Sequence, residues 1–378
     1  MAHSSLPPPP VPQAIALETD NDRRPDEVVV VVSSQSIAAE LANSLNLQLL
    51  ESRASNLLAG ELAHFRIPDT RSVPAIVAAL SFRADVQLAA PNHIYRLQSD
   101  SSQAQYAVKL IRFTEVDDTN KGQGVRIGVV DTALDQEHPA LRGLAIEAFD
   151  ALKGAPVKQV RHGTAIAGLI GGRKNVRGLA PSAKILSTRA FDGQTPDSVT
   201  SDARTLIEAL DWLAEKDAQL INLSFAGSPN VLLRRALAAA RQRGIVLVAA
   251  AGNGGPKARA LYPGAYPTTI AVTATDQKSE IYDRANRGDY VFLAAPGVDL
   301  LVPTGNSGYD VMSGTSFAAA IVTGLAALRL QRVGKAPAQS VAANLEKVLQ
   351  LSASDLGPKG RDRIFGYGLI DAARLMQK

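Results

Sequence analysis

The feature that most constrains the fold is a regular alternation of short apolar runs with helical stretches after residue 105. The apolar runs are residues 125–130, 183–187, 220–223 and 245–250. Apolar strands separated by helices predict a mostly parallel sheet that is covered on both faces. In such sheets polar sites lie beyond the carboxyl ends of the strands. We therefore predict an α/β domain of three layers over residues 106–378, with functional groups just after these runs.

The composition is that of an ordinary globular chain, and it excludes several classes of site. The 378 residues allow two domains, and 46 % hydrophobic residues are enough for a sizeable core. The net charge is only +4, and basic residues such as Arg234 and Arg241 are scattered, so we expect no nucleic-acid partner. Because cysteine is absent, disulfides, thiolate zinc sites and a cysteine nucleophile are excluded. No apolar run approaches the roughly 18 residues of a membrane span, so we expect no membrane partner.

The first 105 residues divide into three segments. Residues 1–26 include Pro7 to Pro10 and predict a disordered lead that lacks a signal-peptide pattern. Residues 27–97 predict a small α+β unit, and residues 98–105 a polar linker. In the small unit we expect strands at 28–32, 63–67 and 86–90, a helix capped by Ser36 and another over 73–80. We expect a secreted or periplasmic protein if an export signal has been cut away, and otherwise a cytoplasmic one.

Three segments of the large domain carry side chains suited to nucleophilic catalysis. Asp131 directly follows a strand, and His162 opens a helix rich in glycine and alanine. The other histidine beyond residue 100, His138, lies in a stretch that predicts an exposed turn, so His162 is the candidate base. Ser316 follows a glycine turn at the start of a helix of small residues. A serine becomes a nucleophile when a base takes its proton and donors receive the oxyanion.

Asn253 is the candidate oxyanion donor. It follows a strand in a Gly-Asn-Gly-Gly segment, which by itself indicates only a turn. Beside Ser316, its amide and the Ser316 backbone N–H would together form an oxyanion hole.

The segments around Asp131, His162, Asn253 and Ser316, in that order, resemble the subtilisin-type serine proteases. The likeness runs from about Gln105 to Lys378 and includes Tyr262-Pro263-Gly264, Ala295-Pro296-Gly297 and the segment 366–371. It implies the subtilisin-like fold and a serine endopeptidase that needs no cofactor. In that family pattern Ser316 attacks the scissile carbonyl, His162 transfers the proton, Asp131 orients His162 and Asn253 binds the oxyanion.

The resemblance also implies how polypeptide substrates bind. Ser224, Phe225 and Ala226, with the stretch at 191–193, would flank the substrate backbone as an extended strand. Gly252 and Leu261 would line the pocket for the residue before the cut. Leu261 stands where many relatives have glycine, so we expect a short pocket that prefers Ala or Ser.

The small unit resembles the family's inhibitory prodomain, through the order of its elements and the segment 85–92 before Tyr95. This implies a zymogen, here expected to be a monomer, whose prodomain covers the cleft. We expect the chain to cut itself between about residues 97 and 106.

Several positions depart from the family pattern. Ala133, Ala165 and Ala320 replace a frequent glycine, histidine and proline, but none of these changes removes a catalytic group. The loop after the histidine helix is short and basic, with Arg173 and Lys174 where relatives often carry a calcium loop. Hard cations need several oxygen ligands, so we expect no calcium there.

Two other functional classes are compatible with parts of the pattern. A weakly active or inactive protein of the same fold would bind peptides in the groove, with the small unit as a permanent cover. A dinucleotide-binding enzyme is disfavoured, because Gly122-Gln123-Gly124 precedes its strand and does not follow it.

Overall fold

The computed structural model describes residues 23–97, 106–116, 121–195, 198–334 and 338–377. The predicted lead up to residue 22 and the linker at 98–105 therefore lie outside the described residues.

The small unit is an antiparallel sheet with two helices on one face. Its strands have the order β4-β1-β3-β2. The elements are β1 (Arg23–Val32), α1 (Gln35–Ser44), β2 (Gln48–Ser55), β3 (Gly60–Arg66), α2 (Val73–Ser81) and β4 (Val86–Leu97). Alternate valines of β1 face opposite ways: Val28 and Val30 pack with α1 and α2, while Val29 and Val31 pack against the large domain. The continuous valine run is thus explained by burial of both faces.

Three details of the small unit differ from the sequence expectation. Strand β1 begins at Arg23, which pairs with His93 of β4, so the strand extends into the predicted lead. Ser34 caps α1 instead of Ser36, because its Oγ accepts the Ile37 N–H at 3.4 Å. Strand β2 was not predicted, since its polar residues do not alternate with apolar ones.

The large domain is built on a seven-stranded sheet of order β13-β12-β11-β9-β5-β7-β6, in which every neighbouring pair is parallel. Its strands are β5 (Arg126–Asp131), β6 (Ala145–Asp150), β7 (Lys184–Arg189), β9 (Leu220–Leu223), β11 (Val246–Ala250), β12 (Ile270–Thr275) and β13 (Val291–Pro296). Shorter strands are β8 (Thr200–Asp202), β10 (Phe225–Gly227), β14 (Leu300–Pro303) and β15 (Tyr309–Met312). The predicted mostly parallel sheet is confirmed.

Helices cover both faces of this sheet and complete three layers. They are α3 (Ala107–Leu110), α4 (Arg161–Gly171), α5 (Ala203–Glu215), α6 (Val231–Gln242), α7 (Thr315–Val333), α8 (Ala338–Ser352) and α9 (Ala372–Gln377). One face packs mainly against α4, α7, α8 and α9, and the other against α5 and α6, on which the small unit lies.

Within the described residues, α7 is the one helix long and apolar enough to cross a membrane. This differs from the sequence expectation, but 78 % of its apolar stretch is buried inside the domain. Because α7 packs against α4 and the sheet, we interpret it as a core helix.

Candidate active site

Asp131 and His162 meet at the carboxyl edge of the large sheet. Asp131 ends β5, His162 is the second residue of α4, and both side chains are buried. The Nδ1 atom of His162 lies 2.8 Å from Oδ1 and 2.8 Å from Oδ2 of Asp131. The Thr132 N–H donates to Asp131 Oδ1 at 2.7 Å, which fixes the carboxylate. With Nδ1 donating, Nε2 of a neutral ring is the acceptor, and it has no hydrogen-bond partner among the described residues.

Gly163 allows the start of α4 to approach the end of β5. A Cβ atom on this residue would lie 2.7 Å from the carbonyl oxygens of Thr132 and Ala133. Its N–H donates to Thr132 Oγ1 at 2.9 Å. A side chain here would push the helix away from the strand and lengthen the contact between His162 and Asp131.

Ser316 lies at the start of the neighbouring helix, α7. Its Oγ donates to the Ser224 carbonyl oxygen at 3.0 Å. Ser224 is itself fixed, because its Oγ donates to Asn222 Oδ1 at 2.6 Å and Asn222 Nδ2 donates to Thr323 Oγ1 of α7 at 3.1 Å. The Phe317 ring stands 5.6 Å from the His162 ring, so the two helix starts share one site.

Asn253 is oriented by the residue before Ser316. Its Oδ1 accepts hydrogen bonds from Thr315 N–H at 3.1 Å and from Thr315 Oγ1 at 2.9 Å. The amide nitrogen therefore points away from Thr315. Thr315 also accepts the Gly252 N–H at 3.1 Å, at a glycine whose φ of 110° few other residues adopt. We did not single out Thr315 from the sequence, because only the folded turn brings it to Asn253.

The end of β4 lies between two short strands of the large domain. On one edge it pairs antiparallel with β10: Phe225 lies opposite Leu97, and Ala226 lies opposite Arg96. On its other edge it pairs with β8, where Tyr95 lies opposite Ser201. Residues 225 and 226 thus flank an extended chain, and that chain is the small unit's own last strand. The second flank is β8 and not the expected stretch 191–193, which reaches β8 only through the bridge of Asp192 to Thr200.

Tyr95 fills an apolar pocket beside this extended chain. Its side chain is 0 % exposed, and its ring meets the Phe225 ring edge to face at 5.6 Å between centroids. Phe191 lies 5.2 Å from Phe225. A Cβ atom on Gly227 would lie 2.6 Å from Tyr95 Cδ1, so the missing side chain makes room for the ring. We call Phe191, Phe225 and Gly227 the aromatic pocket.

Leu261 and Gly252 lie against each other. The Leu261 Cδ1 atom is 2.9 Å from the position that a Cβ atom on Gly252 would take. Gly252 precedes Asn253, so the Leu261 side chain lies close to the candidate oxyanion donor.

Polar contacts dock the small unit on α5. Asp211 accepts hydrogen bonds from Ser55 Oγ at 2.7 Å and from Leu57 N–H at 3.0 Å. Burial raises the pKa of Asp211 above its ordinary value even though these bonds oppose the shift. Arg204 of α5 also donates to Glu51 Oε2 of the small unit at 2.8 Å, so the interface contains an ion pair as well as neutral hydrogen bonds.

His138 is buried and not in an exposed turn as the sequence suggested. Its Nε2 lies 2.8 Å from the Gly308 carbonyl oxygen, and its Nδ1 accepts the Ala140 N–H at 3.1 Å. Both ring nitrogens are thus occupied in holding loops together, which leaves neither of them for proton transfer.

A guanidinium group occupies the basic loop after α4. Arg173 donates twice to the Pro181 carbonyl oxygen, at 3.1 and 2.6 Å, so a guanidinium bridges the loop. Across the described residues no group of three or more His, Asp or Glu side chains is arranged to hold a metal ion.

Comparison with known proteins relates the chain to proteases. The model of the subtilase family matches residues 122–368. A thermophilic serine proteinase of Bacillus sp. (strain AK1) is 33 % identical over 277 residues, which are 70 % of this chain and 68 % of that protein. Thermitase of Thermoactinomyces vulgaris is 31 % identical over 283 residues, which are 73 % of this chain and 97 % of thermitase.

A solved structure shows the same fold. The crystal structure of fervidolysin from Fervidobacterium pennivorans, described as a keratinolytic enzyme related to subtilisin, matches with a TM-score of 0.81 and 21 % identity. The match covers 96 % of this chain and 62 % of that chain. Because the family model spans most of the large domain and the relatives are serine proteases, the chain belongs to the subtilase family of serine endopeptidases.

Proposed function

We propose that the chain hydrolyses peptide bonds through Ser316, His162 and Asp131 by way of an acyl-enzyme. The observation that carries the proposal is the pair of 2.8 Å contacts from His162 Nδ1 to the Asp131 carboxylate. These contacts hold the ring in the tautomer whose Nε2 can accept a proton. The nucleophile candidate stands at the start of the adjacent helix α7.

In the first half of the reaction, Ser316 Oγ leaves the Ser224 carbonyl and attacks the scissile carbonyl while its proton passes to His162 Nε2. Asp131 stays ionised and stabilises the imidazolium. The Asn253 amide and the Ser316 backbone N–H donate to the oxyanion. His162 then gives its proton to the leaving amine, and a water molecule that His162 deprotonates hydrolyses the Ser316 ester.

Substrates bind as an added strand in the place that the end of β4 occupies. Main-chain hydrogen bonds to β10 and β8 supply affinity, and side-chain pockets supply preference. The aromatic pocket takes the side chain at the position of Tyr95. Leu261 narrows the pocket before the cut, and we propose that it favours small residues there.

We further propose that the small unit is an inhibitory prodomain that the chain cuts off itself. Leu97 lies opposite Phe225, and the next residue of the flanking segment, Ser224, holds the Ser316 hydroxyl. A chain leaving β4 therefore reaches the nucleophile within a few residues. This register favours the first bonds of the segment 97–106 as the site of the cut.

Intact-mass analysis of the wild-type chain beside a Ser316→Ala variant tests both parts of the proposal. We expect the wild-type chain to be cut between residues 97 and 106 and the variant to stay whole. A reagent specific for activated serines should label Ser316 in the processed chain. A folded, uncovered wild-type chain that takes up no label would instead support the inactive peptide-binding protein.

An inhibitory cover suits a protease that must stay silent until it has left the cytoplasm, so we propose that the protein is exported and acts as a monomer. Cell fractionation and light scattering of the processed enzyme test these two statements. Recovery of the active enzyme from the cytoplasm, or as a stable dimer, would contradict them.

A further inference from the structure

A cavity lies between the last turns of α7 and the middle of α8. It encloses about 330 Å³. Its walls are mainly aliphatic and come from both helices: Leu330 and Val333 of α7, and Val341, Leu345 and Val348 of α8. The three α8 residues recur after four and three positions, which places them on one face of the helix. A volume of this size with mostly apolar walls is typical of a site for a small molecule.

The cavity runs from an exposed mouth to a buried floor. Val333 is 49 % exposed, so the cavity opens to solvent beside it. Leu330 and Leu345 are buried, at 8 % and 3 % exposed. An aliphatic group that enters beside Val333 therefore loses contact with water as it reaches the two leucines, which favours its binding.

Two cationic side chains line the same cavity, one from each helix. They are Arg329 of α7 and Lys347 of α8. The Nε atom of Arg329 is buried and has no hydrogen-bond partner within the described part of the chain. A buried donor without a partner costs free energy, so an acceptor that enters the cavity beside Arg329 is favoured.

No acidic side chain of these two helices offsets the positive charge. Helix α7 contains no acidic residue, and Glu346 is the one acid of α8. The Glu346 carboxylate accepts a hydrogen bond from Arg241 Nη2 of α6 at 2.9 Å, so that charge is already paired. Arg332 of α7 is also engaged, because it donates to the Met376 carbonyl oxygen at 2.6 Å. The cavity is thus complementary to a ligand with one negative charge and an apolar body.

From the aliphatic walls and the two cations we propose that this cavity binds one linear aliphatic carboxylate. The tail lies against the leucines and valines, and the carboxylate accepts hydrogen bonds from Arg329 and Lys347. A water-sized group takes about 30 Å³ of a liquid, so a cavity of 330 Å³ holds a chain of about ten carbon atoms. Decanoate is a ligand of this size and charge.

The site is separate from the cleft. Helices α7 and α8 pack on one face of the large sheet, whereas the small unit lies on the helices of the other face. Decanoate should therefore bind while the small unit still covers the cleft. The inference goes beyond the proposed peptidase function and does not depend on it, since binding is measured on a chain that lacks the Ser316 hydroxyl.

The test is a calorimetric titration of the full-length Ser316→Ala chain with decanoate, below the concentration at which decanoate forms micelles. We expect one molecule to bind per chain. Arg329→Met in that chain should weaken binding by about tenfold or more, because a charge-assisted hydrogen bond is lost while the aliphatic stem stays. Arg235→Met is the matched control: it removes an exposed cation of α6 and should leave the affinity unchanged. Decanol, which has the tail without the charge, should bind about tenfold more weakly than decanoate.

A second variant tests the apolar walls. Val333→Trp places a large ring at the mouth of the cavity and should weaken decanoate binding by about tenfold or more, and the melting temperature of each variant without ligand shows whether it is folded. The inference is wrong if decanoate gives no saturable binding, if Arg329→Met and Arg235→Met bind it equally, or if decanol binds as tightly. A dimer of the full-length chain that Val333→Asp dissociates would assign this face to a second copy of the chain and would also overturn the inference.

Discussion

Replacing Tyr95 by alanine should weaken binding of the small unit to the large domain by about a hundredfold. The Tyr95 ring is fully buried and meets Phe225 at 5.6 Å. Removing it exposes roughly 150 Å² of apolar surface, worth about 4 kcal/mol at about 25 cal/mol per Å². The contact with the Phe225 ring adds about 1 kcal/mol. Part of this surface stays buried in the unbound fragment, so we expect a loss of about 3 kcal/mol in binding free energy.

The inhibition constant of the small unit, as the proposed inhibitor, measures this loss directly. The fragment released by the proposed self-cleavage, with and without Tyr95→Ala, is titrated against processed enzyme and a peptide substrate. Tyr95 contacts the large domain and not the core of the small unit, so the change acts on binding more than on folding of the fragment. Tyr95→Phe is the matched control and should change the inhibition constant by less than about threefold, because the ring stays.

A rise of less than about threefold for Tyr95→Ala would refute this reasoning. It would mean that burial of the Tyr95 ring does not contribute to the free energy with which β4 binds between β10 and β8 in solution. The aromatic pocket would then not be a source of substrate preference either.

Three further changes test other contacts. Burial alone would raise the pKa of Glu27, but hydrogen bonds from His64 and Asn92 outweigh it and hold the pKa at about 2, against 4.5 ordinarily. This stabilisation is present above about pH 4.5 and is lost as the pH falls towards 2. In urea titrations of the Ser316→Ala chain, Glu27→Gln should therefore lower the free energy of unfolding by up to about 3 kcal/mol at pH 6 and by little at pH 2. Asp131→Asn should reduce kcat on a peptide substrate by about 10⁴-fold, the loss typical of a triad whose histidine takes the wrong tautomer, while an unchanged kcat would exclude Asp131 from the triad. Leu261→Gly should raise kcat/KM for peptides with an aromatic residue before the cut at least about tenfold relative to alanine peptides, and an unchanged ratio would show that Leu261 does not limit the pocket.

Much of the large domain could be predicted from the sequence, because its signals are local. Strands buried on both faces read as continuous apolar runs, and the predicted run at 220–223 coincides with β9. The small unit was harder to predict, because the polar and apolar residues of β2 show only a weak alternation. Its strand conformation depends on pairing with β3. His138 was misjudged because its acidic neighbours suggest solvent, whereas its ring donates to the carbonyl oxygen of Gly308, 170 residues later.

The sequence alone identified Asp131, His162, Asn253 and Ser316 as candidates, since each sits in a short motif whose glycines and small residues are needed for a tight turn or a close helix contact. Only the tertiary structure decided which hydrogen bonds orient these side chains and which segment of the chain lies between β10 and β8. The Thr315 contact with Asn253, the Asp211 contact with the small unit and the seating of Tyr95 between β10 and β8 all join segments far apart in the chain. Hydrogen bonds and burial between such segments depend on the relative position of whole elements, which no local pattern encodes.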